Sequence, residues 1–154
     1  MTNFKLKHKK QLGFTLIEML VVISLIGILA ALGLVSFTTT QKQARDTTRK
    51  SDLKQFQTAF ENYANKNNGL YPIYTSAVRS DGSLCTDLGI GGCATDPKDT
   101  EPYIYKYISD SEGLKYSMWT GIEAKEGAAY WVVCSNGKVG ESATVPSGGN
   151  LCPI

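Results

Sequence analysis

Hydrophobic and polar positions divide the chain into three stretches. From Phe14 to Phe37 nearly every position is apolar, and these 24 residues carry a single charge, that of Glu18. At about 1.5 Å of rise per residue, a helix of this length spans the ~30 Å hydrocarbon core of a bilayer with some tilt. From Ser36 to Asn67 the chain has no Pro or Gly, and Leu53, Phe56, Phe60 and Tyr63 recur at i, i+3, i+7 and i+10. That spacing draws one apolar stripe along a helix, and Ala44, Ala59 and Ala64 favour the same conformation. Asn67-Asn68-Gly69 is a stop signal, and Tyr71-Pro72 follows where the chain has turned. The pattern therefore predicts one helix from Phe14 to Asn67, roughly 80 Å long at the standard rise.

After Leu70 the period shortens. Tyr103, Tyr105 and Tyr107 alternate with Ile104, Lys106 and Ile108, which predicts a strand with an aromatic face, and Lys115 to Ile122 predicts a second. Ala129 to Ser135, then Asn136-Gly137, then Lys138 onward reads as a hairpin closed by a type I′ turn, in which both central residues take φ > 0. Ser80 to Lys98 is rich in Gly, Asp and Ser and reads as a surface excursion. Glu141 to Ile154, with Pro146, Gly148, Gly149 and Pro153, reads as an irregular tail. The expected fold class is α+β, a long amino-terminal helix packed on a small antiparallel sheet.

Charge sharpens this picture at one position. An ionised carboxylate at the centre of a membrane helix costs about 2.5 to 3.5 kcal/mol on insertion scales, so Glu18 needs a partner or a role. Met1 to Gly13 carries Lys5, Lys7, Lys9 and Lys10 and no acid, which suits a segment held at the cytoplasmic face. Cleavage after Gly13 would create an amine on Phe14, a cation within one helical turn of Glu18. A small axial slide would bring the same cation on a neighbouring chain within reach.

Gly13 to Glu18 reads Gly-Phe-Thr-Leu-Ile-Glu and continues Met-Leu-Val-Val. A basic leader, Gly before the cut, Phe after it and Glu at the fifth mature position resemble the class III signal of the type IV pilin superfamily, which comprises pilins, type II secretion pseudopilins and competence pilins. The resemblance covers Gly13 to Pro72 well and the rest in general layout. It implies a type IV pilin fold with residues 1–13 as leader, 14–37 as the transmembrane and assembly half of the helix, 38–69 as its amphipathic half and 70–154 as an extracytoplasmic head. It also implies cleavage between Gly13 and Phe14 by a prepilin peptidase and N-methylation of Phe14. Glu18 would pair with that amine on an adjacent subunit during assembly. The expected partners are further copies in a helical filament, the peptidase, an inner-membrane assembly platform and, before assembly, membrane lipid. The expected location is the bacterial cytoplasmic membrane, with the head outside, and then a cell-surface or periplasmic filament. No Pro lies between Phe14 and Phe37, which favours a continuous helix of the pseudopilin kind over one that unwinds next to a Pro. Gly27 and Gly33 also fit close helix packing.

Composition fits a small exported subunit. The chain of 154 residues has net charge +2, and loss of the leader's four lysines leaves −2. Cys85, Cys93, Cys134 and Cys152 all follow the apolar segment, where an oxidising exterior permits disulfides. Four cysteines allow three pairings, and the sequence does not select one. Local loop closure favours Cys85 with Cys93 and Cys134 with Cys152, and the second pair resembles the disulfide bounding the carboxy-terminal region of many type IV pilins. A zinc site is disfavoured because the single His8 lies in the leader and no C-x-x-C occurs.

Other readings explain less. A secretory signal with Ala31-Leu32-Gly33 as its cleavage site would have an overlong apolar region containing Glu18. A single-span anchor for a binding protein or enzyme also leaves Glu18 unexplained. No catalytic constellation stands out, and Gly89-Ile90-Gly91-Gly92 lacks the Lys and Ser/Thr of a phosphate loop. No cofactor is expected. Asp96, Asp99, Glu101 and Asp110 could offer oxygen ligands to calcium, as in some major pseudopilins, but they match no EF-hand and read better as solvated loop acids. Lys42, Arg45, Arg49 and Lys50 form a basic stripe, read as a solvated face or as ion pairs between subunits, with DNA capture a minority reading.

Overall fold

The computed structural model describes residues 13–125, 127 and 129–154. The basic leader expected over residues 1–13 therefore lies outside the described residues except for Gly13. Helix α1 runs Leu16–Lys66, and the chain divides into a unit ending at Thr38 and a unit formed by Thr39–Ile154. In the first unit Phe14, Leu16, Ile17, Leu29 and Leu32 are all exposed, as is every large apolar side chain from Phe14 to Ile28.

The second unit contains the rest of α1, helix α2 (Gly82–Asp87) and five strands: β1 (Val78–Arg79), β2 (Lys106–Ser109), β3 (Tyr116–Gly121), β4 (Tyr130–Cys134) and β5 (Val139–Ser142). Each strand pairs antiparallel with the next, giving the order β1-β2-β3-β4-β5. Leu53, Phe56 and Phe60 of α1 are buried against Tyr105, Tyr107, Tyr116 and Met118, so the stripe legible in the sequence meets the inner face of the sheet. Phe60 stacks on Tyr107 with centroids 4.6 Å apart, and Tyr107 donates its hydroxyl proton to the Pro72 carbonyl at 2.7 Å. Burial of each such side chain contributes about 1.5 to 3 kcal/mol. The helix ends where Asn68 (φ 56°) and Gly69 (φ 81°) turn left-handed, and the Gly69 N–H donates to the Ala64 carbonyl at 2.8 Å. This is the six-to-one bond of a Schellman cap.

Three local expectations change. The strand expected from Tyr103 begins only at Lys106, because the Tyr103 N–H turns back to the Thr100 carbonyl. Ser80 to Lys98 is not a surface excursion: α2 lies within it, Leu84 is fully buried, and Leu88, Ile90, Cys93 and Ala94 pack on the inner core. The apolar residues at 84, 88 and 90 outweigh the polar composition around them. The β4–β5 hairpin forms, yet only Gly137 (φ 81°) of the expected pair takes positive φ. Its N–H donates to the Cys134 carbonyl at 3.1 Å, which makes a three-residue loop with Gly in the left-handed position rather than a type I′ turn.

β3 is buried along its whole length because the sheet is covered on both faces. Its inner residues face α1, while Trp119, with Ile108, Val132 and Cys134, lies under Leu151, Cys152 and Ile154 of the carboxy-terminal tail. The structure pairs Cys85 with Cys93 and Cys134 with Cys152, with Cα–Cα separations of 5.9 and 5.8 Å.

Candidate functional site

The start of α1 is built by a reciprocal cap. Thr15 precedes the first helical residue, and its carbonyl accepts the Met19 N–H at 3.3 Å. The Thr15 N–H and hydroxyl each donate to Glu18 Oε2 at 2.8 Å, while the Glu18 N–H donates to Thr15 Oγ1 at 3.3 Å. Together they form a Thr-x-x-Glu capping box, which satisfies donors that the helix cannot satisfy itself. The four-residue signature Thr15 to Glu18 was present in the sequence, but attention to the charge of Glu18 alone conceals it. The box supplies Glu18 with hydrogen bonds within its own chain. Phe14 stands outside the helix and is 80% exposed, next to Gly13, so the bond between them is reachable. Among the described residues, α1 is the one helix long and apolar enough to cross a membrane.

The basic stripe is a different object from the one expected. Arg49 is fully buried, so it faces neither solvent nor a neighbouring subunit. Its guanidinium meets Asp46 at 2.7 Å and Glu123 at 2.7 Å, bonds to both oxygens of Asp96, and lies 4.3 Å over the Tyr103 ring. Arg45 and Lys98 each reach Glu123 at 2.6 Å, which balances three cations with three carboxylates. Asp46 also accepts the N–H groups of Glu123 and Ala124, and Asp96 those of Lys98 and Asp99. Burial by itself would lower the pKa of Arg49, but hydrogen bonds to Asp96, Glu123 and Asp46 outweigh it and raise the value. Hydrogen bonding from Arg45, opposed by burial and reinforced by Lys98 and Arg49, holds the Glu123 carboxyl well below the usual carboxylate range. Lys50 places Nζ 4.2 Å over the Trp131 ring, and Lys42 is exposed. The missed signal is register, because Asp46 and Arg49 continue the stripe of Leu53, Phe56 and Phe60 at spacings of three, four and three residues.

The four acids considered for calcium do not converge. Asp96 is in the Arg49 cluster, Asp99 pairs with Arg79, Glu101 pairs with Lys106, and Asp110 accepts the Leu114 N–H. Among the described residues no group of three or more His, Cys, Asp or Glu side chains is placed to hold a metal ion.

Residues 8–34 match the family model of the prokaryotic N-terminal methylation motif, the motif of the type IV pilin superfamily. The chain carries that motif at the start of its long helix and has a pilin-like α+β fold. It is 29% identical over 113 residues to type II secretion system core protein G of Vibrio cholerae serotype O1, an alignment covering 73% of this chain and 68% of that protein. No solved structure matches it.

Proposed function

We propose that this chain is the structural subunit of a type IV pilus-like filament, stored in the cytoplasmic membrane and polymerised through the first half of α1. The observation that carries this reading is a carboxylate five residues after a Gly13–Phe14 bond, in a helix half whose large apolar side chains from Phe14 to Leu32 are offered outward. A prepilin peptidase would cut that bond and methylate the Phe14 amine. The new cation then competes with Thr15 for the Glu18 carboxylate, and the amine of an adjacent subunit can take its place. Lipid tails are as apolar as these side chains, so moving the helix from lipid into a filament gains little hydrophobic energy. Packing, the Glu18 pairing and an assembly platform must then supply the drive. The filament-forming partner is a second copy, and with the cluster cations paired the head offers DNA little.

A second reading makes the subunit a major pseudopilin of a type II secretion system or a competence pseudopilus. The secretion form is supported by the relative from Vibrio cholerae, since a 113-residue alignment extends far past the 27 residues of the motif. Mass spectrometry of the chain recovered from its own cells tests both readings, with an N-methylated amino terminus at Phe14 as the expected result. A chain that keeps Met1 and stays monomeric, or a Glu18→Ala chain that still builds filaments, would overturn the assignment. Deleting the gene separates the two readings: lost exoprotein secretion marks a pseudopilin, and a lost surface fibre marks a pilin.

A further inference from the structure

The tail that covers the outer face of the sheet is held by few bonds other than its disulfide. Ser147 and Asn150 bond to each other, a local turn beside the exposed pair Gly148 and Gly149. Beyond that turn, the Leu151 carbonyl accepts from Ser117 Oγ and the Pro153 carbonyl from Ser142 Oγ at 3.4 Å. Among the described residues, 151–154 make no backbone-to-backbone hydrogen bond to a strand. What the tail covers is strongly apolar: Trp119 is 3% exposed, and Ile108, Val132 and Cys134 are buried with it. Ile154 lies over Gly140 of β5, where an added Cβ would sit 3.7 Å from the Ile154 side chain.

The disulfide itself can be reached. Cys134 and Cys152 line an open cavity of about 460 Å³ together with Asp110, Lys115, Asn136 and Asn150. Cys134 is 1% exposed, whereas Cys152 is only half-buried, so Cys152 presents the sulfur that an incoming thiolate meets first. The other pair also joins a buried and a half-buried cysteine, Cys85 and Cys93, but the cavity that Cys93 lines is smaller, about 210 Å³.

We propose that Cys134–Cys152 is a thiol-exchange site that locks residues 143–154 as a strap, and that its reduction by a dithiol bares the outer face of the sheet. One thiolate of the dithiol attacks Cys152 Sγ, the disulfide breaks, and the electron pair leaves on Cys134 Sγ, which takes up a proton. The second thiol attacks the mixed disulfide and releases the Cys152 thiol. The chain gains two electrons and two protons, and the dithiol is oxidised to its own disulfide. Residues 150–154 then swing about Gly148 and Gly149, and Ile108, Trp119 and Val132 meet water. Inner core, α1 contacts and Cys85–Cys93 stay as they are. This inference does not depend on filament assembly.

The test uses the full chain in detergent micelles titrated with dithiothreitol, with iodoacetamide trapping, peptide mapping and limited proteolysis. Trp131→Phe leaves Trp119 as the sole tryptophan for fluorescence. Expected are alkylation of Cys134 and Cys152 before Cys85 and Cys93, a red shift of Trp119 emission, and cleavage within 143–154 faster by roughly tenfold or more, as for an opened segment. Sheet circular dichroism should be retained. The proposal is overturned if Cys85–Cys93 opens first, or if Trp119 emission and the cleavage pattern stay unchanged once Cys134 and Cys152 are alkylated. It is equally overturned if the whole head unfolds as the bond breaks. Because an oxidised, folded chain is reduced in place, a failure of Cys134→Ser or Cys152→Ser to fold leaves the outcome readable.

Discussion

Arg49 is a cation without water, and three carboxylates from three parts of the chain close around it. Removing one partner from such a cluster costs more than the cluster contributes, because the charges left behind stay buried and unpaired. Arg49→Met should therefore lower the unfolding free energy by about 3 to 5 kcal/mol, measured from urea midpoints. Glu123 adds a pH dependence whose sign is fixed by its depressed pKa. Its contribution is complete above the unfolded carboxylate value near 4.5 and is lost as pH falls toward the lower folded value. The urea midpoint should thus stay level in this respect from pH 7 to about pH 5 and decline below about pH 4.5. Glu123→Gln should be less stable at neutral pH and should lose that part of the acid decline. A Glu123→Gln chain with an unchanged acid slope would show that other carboxylates carry it.

At the scale of elements, the long helix and the three main strands follow directly from periodicity. Apolar residues three and four apart in Leu53 to Phe60, and alternating tyrosines ending at Tyr107, leave little freedom in which face is buried. Boundaries and turns were less legible. Asn-Gly is compatible with more than one hairpin loop, and the choice fell to the bond between Gly137 and Cys134, which sequence does not display. With Gly137 alone at φ 81°, Gly137→Ala should cost about 1 to 2 kcal/mol in the urea midpoint. A comparable loss from Asn136→Ala would contradict this turn, since Asn136 contributes only a side-chain acceptor for the Lys138 N–H at 3.0 Å. The segment from Ser80 to Lys98 misled because composition averaged over it hides Leu84, whose burial depends on where α2 is delivered by the rest of the fold. The Arg49 cluster misled for a related reason, since residue type says solvent while register says core.

Across the whole molecule, the apolar first half of α1 was the most readable part, because one carboxylate in an apolar run is expensive wherever it sits. The tail was the least readable. Its few apolar residues, Leu151 and Ile154 among them, carry no period, and their place over Trp119 is set by a covalent link of 18 residues' separation. The order β1-β2-β3-β4-β5 places every strand next to its neighbour in sequence. From β2 to β5 such an arrangement closes short loops, although residues 80–105 separate β1 from β2, and chains rich in local pairings fold quickly. Strands β2 to β5 can therefore add one at a time in chain order, none of them waiting for a distant mate. Leu151, Cys152 and Ile154 then waterproof the outer face of the finished meander.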